Sequence, residues 1–539
     1  MPFQKALPLA ELPAGSKKAV KLGETEILLL HTKSGQLHAV EAKCPHAGAP
    51  LEEGALCDGR LVCPWHAGTF AIGSSSVADG TVLEPPPLRS LKHYPVKRED
   101  GSGMVSVLVD LEPVNRPSLA HDDDLAPATA VAPHAHIVTI GAGAAATAAV
   151  CTLRQRGFAG RITMVDPVHD EPTDRTNLSK MTLAGKKPIA KLPLWTPEER
   201  DKLDVERVLA QVTALDANAG TLTAQRPGEG MQEGEPISLH FDAALLATGA
   251  IPNRLDIPGE DLPHVHTLRH VHDVVAIEAL LGDEPKSKQA VLIGDSFIAF
   301  EAASALTTRG VPVTLVCRSP QPFSRKFGES PAQSIVGLHR SHGVTLKLGA
   351  EARSIAAGAV TLKSGETLPA DLVLVAVGVH PATGFEHHLP LEKDGGIPTD
   401  DTLRAAPKLW VAGDLASVGD TRIEHWRLAE QHGRNAALGI LASLAPSADR
   451  GQSAPESIVP FFWTTHFGKR FGYVGHADSW DEIQVDGSLG DQNFLAYYLK
   501  KDTVQAVLGC GKDAAIAAFS VAMREELSLR EARAAIAGM

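Results

Sequence analysis

The hydrophobic rhythm of the chain changes twice. Up to about residue 111, short apolar runs such as Glu26-Ile27-Leu28-Leu29-Leu30 and Gly103-Met104-Val105-Ser106-Val107-Leu108-Val109 alternate with turn residues, which predicts a small all-β domain. From about Glu112 to Pro133 the pattern lapses. Asp122-Asp123-Asp124 is followed by Ala/Pro/Thr-rich sequence, the composition of a solvated, extended linker. A continuous apolar run then begins, His136-Ile137-Val138-Thr139-Ile140, which reads as a buried parallel strand. It passes through Gly141-Ala142-Gly143-Ala144-Ala145-Ala146 into a helix ending near Arg156, and then into a strand, Arg161-Ile162-Thr163-Met164-Val165, that stops at Asp166. A second copy starts at Ala290-Val291-Leu292-Ile293, crosses Gly294-Asp295-Ser296-Phe297-Ile298-Ala299 and a helix, and returns as Val313-Thr314-Leu315-Val316. Leu245-Leu246-Ala247-Thr248-Gly249 and Leu374-Val375-Ala376-Val377-Gly378 also echo each other, each an apolar strand ending in glycine, and Leu409-Trp410-Val411-Ala412-Gly413-Asp414 adds one more.

Composition narrows the class. A chain of 539 residues, 44% hydrophobic, is expected to form roughly three or four domains with substantial cores. The net charge of −13 with no basic cluster argues against nucleic acid or an anionic membrane as partner. No apolar stretch reaches ~18 residues, so no transmembrane helix is expected. The start, Met1-Pro2-Phe3-Gln4-Lys5, lacks the apolar core of a signal peptide. The cysteines Cys44, Cys57, Cys63, Cys151, Cys317 and Cys510 are scattered, as in a protein of the reducing cytoplasm.

Two of those cysteines carry the sharpest signal. Cys44-Pro45-His46 and Cys63-Pro64-Trp65-His66 stand sixteen residues apart, counted from His46 to Cys63. Two cysteines on one iron and two histidines on the other is the ligand set of a Rieske 2Fe–2S cluster. A structural zinc held by two Cys and two His is the alternative. Each histidine stands beside its own cysteine, and Gly48-Ala49-Pro50-Leu51 and Gly68-Thr69-Phe70 follow the two loops, which favours the cluster. Pro85-Pro86-Pro87 is a candidate third loop to shield it.

The Gly-x-Gly-x-x-Ala run at Gly141, Gly143 and Ala146 sits between strand and helix, with an acid at the end of the next strand. Gly141 makes the turn, Gly143 admits a pyrophosphate, the helix N-terminus offers it N–H groups, and Asp166 is placed for a ribose hydroxyl. The second copy departs from this pattern. Ser296 and Ala299 replace glycines, Asp295 sets a negative charge beside the expected pyrophosphate, and Cys317-Arg318 stands where the ribose acid belongs. Arg318 is suited to a 2′-phosphate, which tips the expectation toward NADPH over NADH. No Cys-x-x-x-x-Cys pair follows the first motif, which argues against redox-disulfide chemistry.

With these motifs in place, the middle and end of the chain resemble the two-dinucleotide-domain flavoprotein reductases, in particular the ferredoxin reductases that serve bacterial oxygenases. With the amino-terminal domain, the arrangement is similar to the apoptosis-inducing-factor-like, Rieske-fused reductases. The resemblance implies five parts: a Rieske domain (1–111), a linker (112–133), a discontinuous FAD-binding domain (134–257 and 385–455), an NAD(P)-binding domain (258–384) and an α+β carboxy-terminal interface domain (456–539). It places the ADP half of FAD on the first glycine motif and Asp166, and Arg175 and Lys180 beside the cofactor in Thr173-Asp174-Arg175-Thr176-Asn177-Leu178-Ser179-Lys180. Thr248, Gly249, Gly413 and Asp414 would also contact FAD, with Asp414 on the ribityl chain and Glu424-His425-Trp426 at a helix start by the flavin ring. Gly294, Ser296, Ala299, Arg318 and Gly378 would hold the nicotinamide nucleotide, and Glu301 would lie near the nicotinamide and pair with Lys180. High-potential Rieske proteins carry an extra cysteine in each loop; Ala49 and Trp65 stand there, which suggests a low potential. The implied activity is electron transfer from NADPH or NADH to FAD, to the 2Fe–2S cluster and on to an external redox protein such as an oxygenase, by a monomer or homodimer. A redox-sensing interaction protein with a nucleotide–flavin charge-transfer state is the second reading. A complete Rieske oxygenase, with His266, His270 and Asp273 as an iron site, is the third. Among the aromatics of Pro460-Phe461-Phe462-Trp463-Thr464-Thr465-His466-Phe467, some are candidates to lie between flavin and cluster, though core packing is the commoner use. His339 and His342 read as ordinary helix-end histidines.

Overall fold

The computed structural model describes residues 3–101, 104–122, 125, 131–168, 171–228, 234–444 and 458–537. Gly103, the Asp123-Asp124 pair and the expected boundary between residues 455 and 456 lie outside the described residues.

The amino-terminal part is all-β, as its alternation predicts. Three small antiparallel sheets form it, the last running Ala55–Cys57, Arg60–Val62, Thr69–Ala71, Val82–Glu84. Leu28, Leu30, Val40, Leu61, Phe70 and Leu91 are fully buried between the sheets. The next part is built on a six-stranded sheet in the order Val205–Leu209, Arg161–Asp166, His136–Ile140, Ala243–Leu246, Leu409–Val411, Arg404–Ala406, parallel except at the last strand. A five-stranded parallel sheet repeats its centre: Val265–His266, Leu372–Val375, Ala290–Ile293, Val313–Cys317, Thr345–Leu348. In both, the strand that feeds the glycine turn lies between the strand following it and a later strand, which puts a cleft at the carboxyl ends of the strands. The turns match closely. Gly141 has φ 105° and Gly294 φ 136°, and a Cβ on either would meet a carbonyl of the adjacent strand's end, Ala247 O at 2.3 Å or Ala376 O at 2.2 Å. Only glycine accepts both constraints.

Residues 458–537 form a five-stranded antiparallel sheet, Phe461–His466, Lys469–Gly475, Thr503–Cys510, Asn493–Lys500, Glu482–Ser488, with helices Asp513–Ala522 and Leu529–Ala535, the α+β architecture expected. Among the described residues no helix is long and apolar enough to cross a membrane.

The segment 112–122 corrects the expectation of a solvated, extended linker for that part of it; the Ala/Pro/Thr-rich residues 126–130 lie outside the described residues. Asn115 accepts the His93 N–H (3.0 Å) and donates to Leu91 O (3.0 Å), and Asp122, fully buried, accepts from the Ser90 hydroxyl. Leu119 packs into the core of the six-stranded unit, and Gln155 binds both Leu88 O (2.6 Å) and Ser118 O (3.0 Å). Its polar residues supply acceptors that satisfy neighbouring backbone and hydroxyl groups, so a polar composition here produces a strap rather than a tether.

The β domain is also clamped from the far end of the chain. Arg427, in the helix Trp426–Leu444 and only 2% exposed, donates to Pro85 O (2.9 Å), Ala67 O (3.2 Å) and Val459 O (3.4 Å). Buried Glu84 accepts from Gln431 (2.6 Å) and Arg524 (2.6 Å), with the Arg427 guanidinium at 3.6 Å. Ala55, Val62 and Ala67 share a core with Phe461, Trp463 and Ile516 of the carboxy-terminal sheet and its helix.

Candidate functional site

The two Cys/His loops are one turn used twice. The Cys44 N–H bonds Ala49 O and the Cys63 N–H bonds Gly68 O, while Gly48 N–H returns to Cys44 O and Ala67 N–H to Cys63 O. Gly48 (φ 75°) and Ala67 (φ 55°) take the left-handed conformation these turns require. The repeat brings like donors together. Cys44 and Cys63 are buried close enough that each shifts the other's thiol, and His46 Nδ1 and His66 Nδ1 face each other at 3.1 Å. Burial holds both imidazoles below their usual pKa and therefore neutral, the form that ligates metal. Two thiols on one side and two imidazoles on the other fit a 2Fe–2S cluster. Pro87 closes over the second loop, leaving no room for a side chain at Gly68.

Across from these loops lies a cleft. Gly143, Asp166, Arg175, Lys180, Thr248, Gly249, Gly413, Asp414, Glu424, His425 and Trp426 line it, from four separated segments of sequence. A Cβ at Gly143 would meet nothing within 4 Å, so the glycine opens the space a pyrophosphate needs. Arg175 and Arg269 share this end of the cleft. Burial, aided by the charge of Arg269, brings the Arg175 guanidinium down to about 10, so an anion placed there would be favoured. Asp166 lines the cleft with its two oxygens on the N–H groups of Ala142 and Val168 (2.8 Å each), so it shapes the glycine turn. Asp414 accepts from Arg269 at 3.2 Å, and Thr248 donates to Ala382 O at 2.8 Å. Glu424 is paired with Arg422 (2.6 Å), His425 stacks on Phe462 with ring centroids 4.7 Å apart, and Trp426 donates to Glu430 (3.0 Å). These residues fit FAD.

Leu178–Thr182 is a π-helical turn, a distortion common at functional sites, and it carries Ser179 and Lys180. Lys180 Nζ lies 2.9 Å from Glu301 Oε2, which also accepts from Ser179 (2.6 Å). The other Glu301 oxygen accepts from Thr464 (2.6 Å), whose hydroxyl is 3.0 Å from His466 Nε2; His466 Nδ1 in turn lies 3.2 Å from His339 Nε2. Burial pushes His466 down to about 3 and His339 well below the usual imidazole value. His339 is fully buried in this chain, which corrects its reading as an ordinary helix-end histidine; His342 does cap its helix, through Leu338 O (2.8 Å).

The second cleft is lined by Gly294, Asp295, Arg318, Arg254, Lys363 and His380 among others. Ser296 is the N-cap of Phe297–Thr308: its hydroxyl accepts from Ala299 N–H (3.3 Å) and donates to Ala376 O (2.7 Å). Asp295 accepts from Ser319 N–H (3.1 Å). The departures from the glycine pattern therefore serve the protein's own backbone.

Not every expected residue reaches its cleft. Ala146 and Ala299 are fully buried in the helices behind the glycine turns, where they allow close packing, and Gly378 (φ 97°) accepts the Asn253 N–H (2.9 Å) at the crossing between the two units. His266, His270 and Asp273 do not form the iron site weighed for them. The Asp273 carboxylate closes a helix N-terminus on the N–H groups of Arg269 (2.7 Å) and His270 (2.8 Å). Sequence reading missed Arg269, whose only signal was its place beside that decoy.

A pyridine-nucleotide oxidoreductase with two dinucleotide-type units and its own iron–sulfur domain is the class this geometry defines. Residues 135–433 match the pyridine nucleotide-disulphide oxidoreductase family and residues 3–95 the Rieske [2Fe-2S] domain, and the chain belongs to that oxidoreductase family. FAD, NAD(P)H and a 2Fe–2S cluster are its cofactors. The chain is 28% identical to apoptosis-inducing factor 3 of Mus musculus over 97% of its own length and 84% of that protein. It is 30% identical to the ferredoxin–NAD(+) reductase component of the p-cumate 2,3-dioxygenase system of Pseudomonas putida, over 72% of this chain and 94% of that one. The solved covalent putidaredoxin reductase–putidaredoxin complex superimposes with a TM-score of 0.62 at 25% identity, over 70% of this chain and 90% of that one.

Proposed function

We propose that this oxidoreductase passes electrons from NAD(P)H, through FAD, to its own Rieske cluster and on to an external one-electron acceptor protein such as an oxygenase. The observation that carries the reading is that the groove at the cluster histidines and the flavin cleft share a wall, formed by Thr176, Lys180 and Trp463. When bound, FAD would supply the conversion between two-electron hydride transfer and single-electron transfer, so one NAD(P)H would serve two one-electron acceptors. The chain's part is placement. Arg175, Arg269 and the Gly143 turn bind the diphosphate, Lys180 and Glu301 fix charge beside the flavin, and Arg427 and Glu84 hold the cluster domain against the reductase. Arg318, exposed at the second cleft, favours NADPH. The test is stopped-flow mixing with NADPH under anaerobic conditions: flavin bleaching followed by bleaching of the cluster in the same molecules supports the relay, and a cluster that stays oxidised refutes it. Ser296 supports a second reading, redox sensing. Its hydroxyl already occupies a helix N–H that a nucleotide phosphate would use, and slow reduction with nucleotide-dependent self-association would favour that reading.

A further inference from the structure

A chain of polar contacts runs from the flavin cleft into the interior, through residues that the relay does not use. Glu301, 3% exposed on the helix Phe297–Thr308, takes Lys180 Nζ (2.9 Å) and the Ser179 hydroxyl (2.6 Å) on one oxygen and the Thr464 hydroxyl (2.6 Å) on the other. Behind Thr464 stands His466 Nε2 at 3.0 Å, and behind His466 Nδ1 stands His339 Nε2 at 3.2 Å. Thr464, His466 and His339 are fully buried, the first two on the strand Phe461–His466 and the last on the helix Glu329–Ser341. Thr464 and His466 are two apart and so share one face of their strand. Phe300 stands edge-on to both imidazoles, its ring centroid 4.8 Å from that of His339 and 6.4 Å from that of His466, and its carbonyl also faces His466.

Counting protons assigns a direction to this chain. A hydroxyl has one hydrogen to give. Thr464 gives its hydrogen to Glu301, so its oxygen accepts from His466, which carries its proton on Nε2. His466 Nδ1 is then a lone pair that accepts from His339 Nε2–H. His339 Nδ1 is the last lone pair and has no partner among the described residues. Every donor therefore points toward Glu301, as a buried carboxylate requires. Burial keeps both imidazoles neutral, the state this alternation needs. The opposite tautomer at His466 would draw the Thr464 hydrogen to itself and leave that Glu301 oxygen without its hydrogen bond.

We infer that His466, backed by His339, is a positioning residue for the Lys180–Glu301 pair: it holds the Thr464 hydroxyl on Glu301 and so aims the carboxylate that sets the Lys180 ammonium at the flavin cleft. This rests on the reading of that cleft proposed above. Neither imidazole lines the flavin cleft or the groove at the cluster, so their influence passes through Thr464. Lys180 rides on the π-helical turn Leu178–Thr182, with its ammonium also tied to Thr176 O (2.9 Å), and Glu301 is its anionic partner. The direction of that carboxylate therefore decides where charge lies beside the cofactor.

The test is a double-mutant cycle in the full-length holoenzyme with T464V and H466L, alongside H466Q, whose amide offers an N–H near the place of the imidazole Nε2. The rate of flavin reduction by NADPH and the FAD midpoint potential are measured for each. The His466 tautomer is read by NMR from the imidazole nitrogens of the native chain, isotopically labelled in its histidines, with H466Q identifying the signal. The expected result is flavin reduction slowed on the order of tenfold in H466L, with a displaced potential. T464V should match it, the double variant should be no worse than T464V alone, H466Q should largely restore both quantities, and the native proton should lie on Nε2. Losses that add in the double variant, no rescue by H466Q, or a native His466 protonated on Nδ1 overturn the inference, as does an H466L chain with the native rate and potential. The tautomer is measured on the native chain and decides the matter even where H466L does not fold. A native flavin that NADPH does not reduce overturns the reading of the cleft instead, which keeps the two failures distinct.

Discussion

Replacing Arg427 by methionine is expected to loosen the cluster domain. The guanidinium is 2% exposed and makes two firm charge-assisted bonds to cluster-domain carbonyls, Pro85 O at 2.9 Å and Ala67 O at 3.2 Å, with the Glu84 carboxylate at 3.6 Å. Bonds to a charged group contribute about 1.5–3 kcal/mol each, and removing one partner of a buried ionic group costs about 3–5 kcal/mol. Methionine fills part of the space and ends the cost of burying the cation, and Glu84 keeps Arg524 and Gln431. A net loss of about 3 kcal/mol of docking free energy remains, roughly a hundredfold in the docked-to-undocked ratio. Hydrogen exchange at the Ala67–Gly68 loop and at Leu88, beside the proline loop, with small-angle scattering of the full chain, reads this directly. R427M is expected to exchange faster at those loops and to occupy a larger envelope while its reductase part melts as before. Unchanged protection and envelope would refute the claim that this buried arginine holds the domains together.

Other outcomes follow from buried titratable groups and the nucleotide turn. Burial raises the Glu430 carboxyl well above the ordinary range, so its contribution to stability is complete below about pH 4.3 and is lost as pH rises through the folded-state value; E430Q is expected to flatten the decline of melting temperature on the alkaline side. His466, pushed down to about 3, stays neutral when folded but charges near pH 6.5 when unfolded. Stability should therefore fall by about 1.4 kcal/mol per pH unit for this group as pH drops from about 6.5 toward 3, and an H466Q melting series with the native slope would contradict it. S296G should tighten nucleotide binding in a calorimetric titration, by freeing the Ala299 N–H, while costing a few tenths of a kcal/mol of helix capping; weaker binding would show that the hydroxyl assists the nucleotide.

The cluster site was legible in the sequence because its ligands come as two contiguous loops, and the glycine turns because their demands on φ and on Cβ space are local. Lys180 and Glu301 meet as expected, although a π-helical turn that no residue pattern announces is what presents the lysine. Arg427 was invisible because its cluster-domain partners are main-chain carbonyls more than three hundred residues away, and carbonyls leave no mark on composition. The segment containing Asn115 and Asp122 misled for a related reason: polarity predicts solvation unless the donors that use those side chains are known. His339 and His466, on separate elements, gain meaning only as the far end of the chain of contacts that begins at Glu301.

The central claim is that flavin electrons leave through the chain's own cluster. It is tested most directly by anaerobic titration with NADPH and then NADH, following flavin absorbance and the cluster's EPR signal in one sample. The expected result is that the cluster signal rises together with flavin bleaching, without any added mediator and at every protein concentration. A fully bleached flavin beside an EPR-silent, oxidised cluster would contradict it.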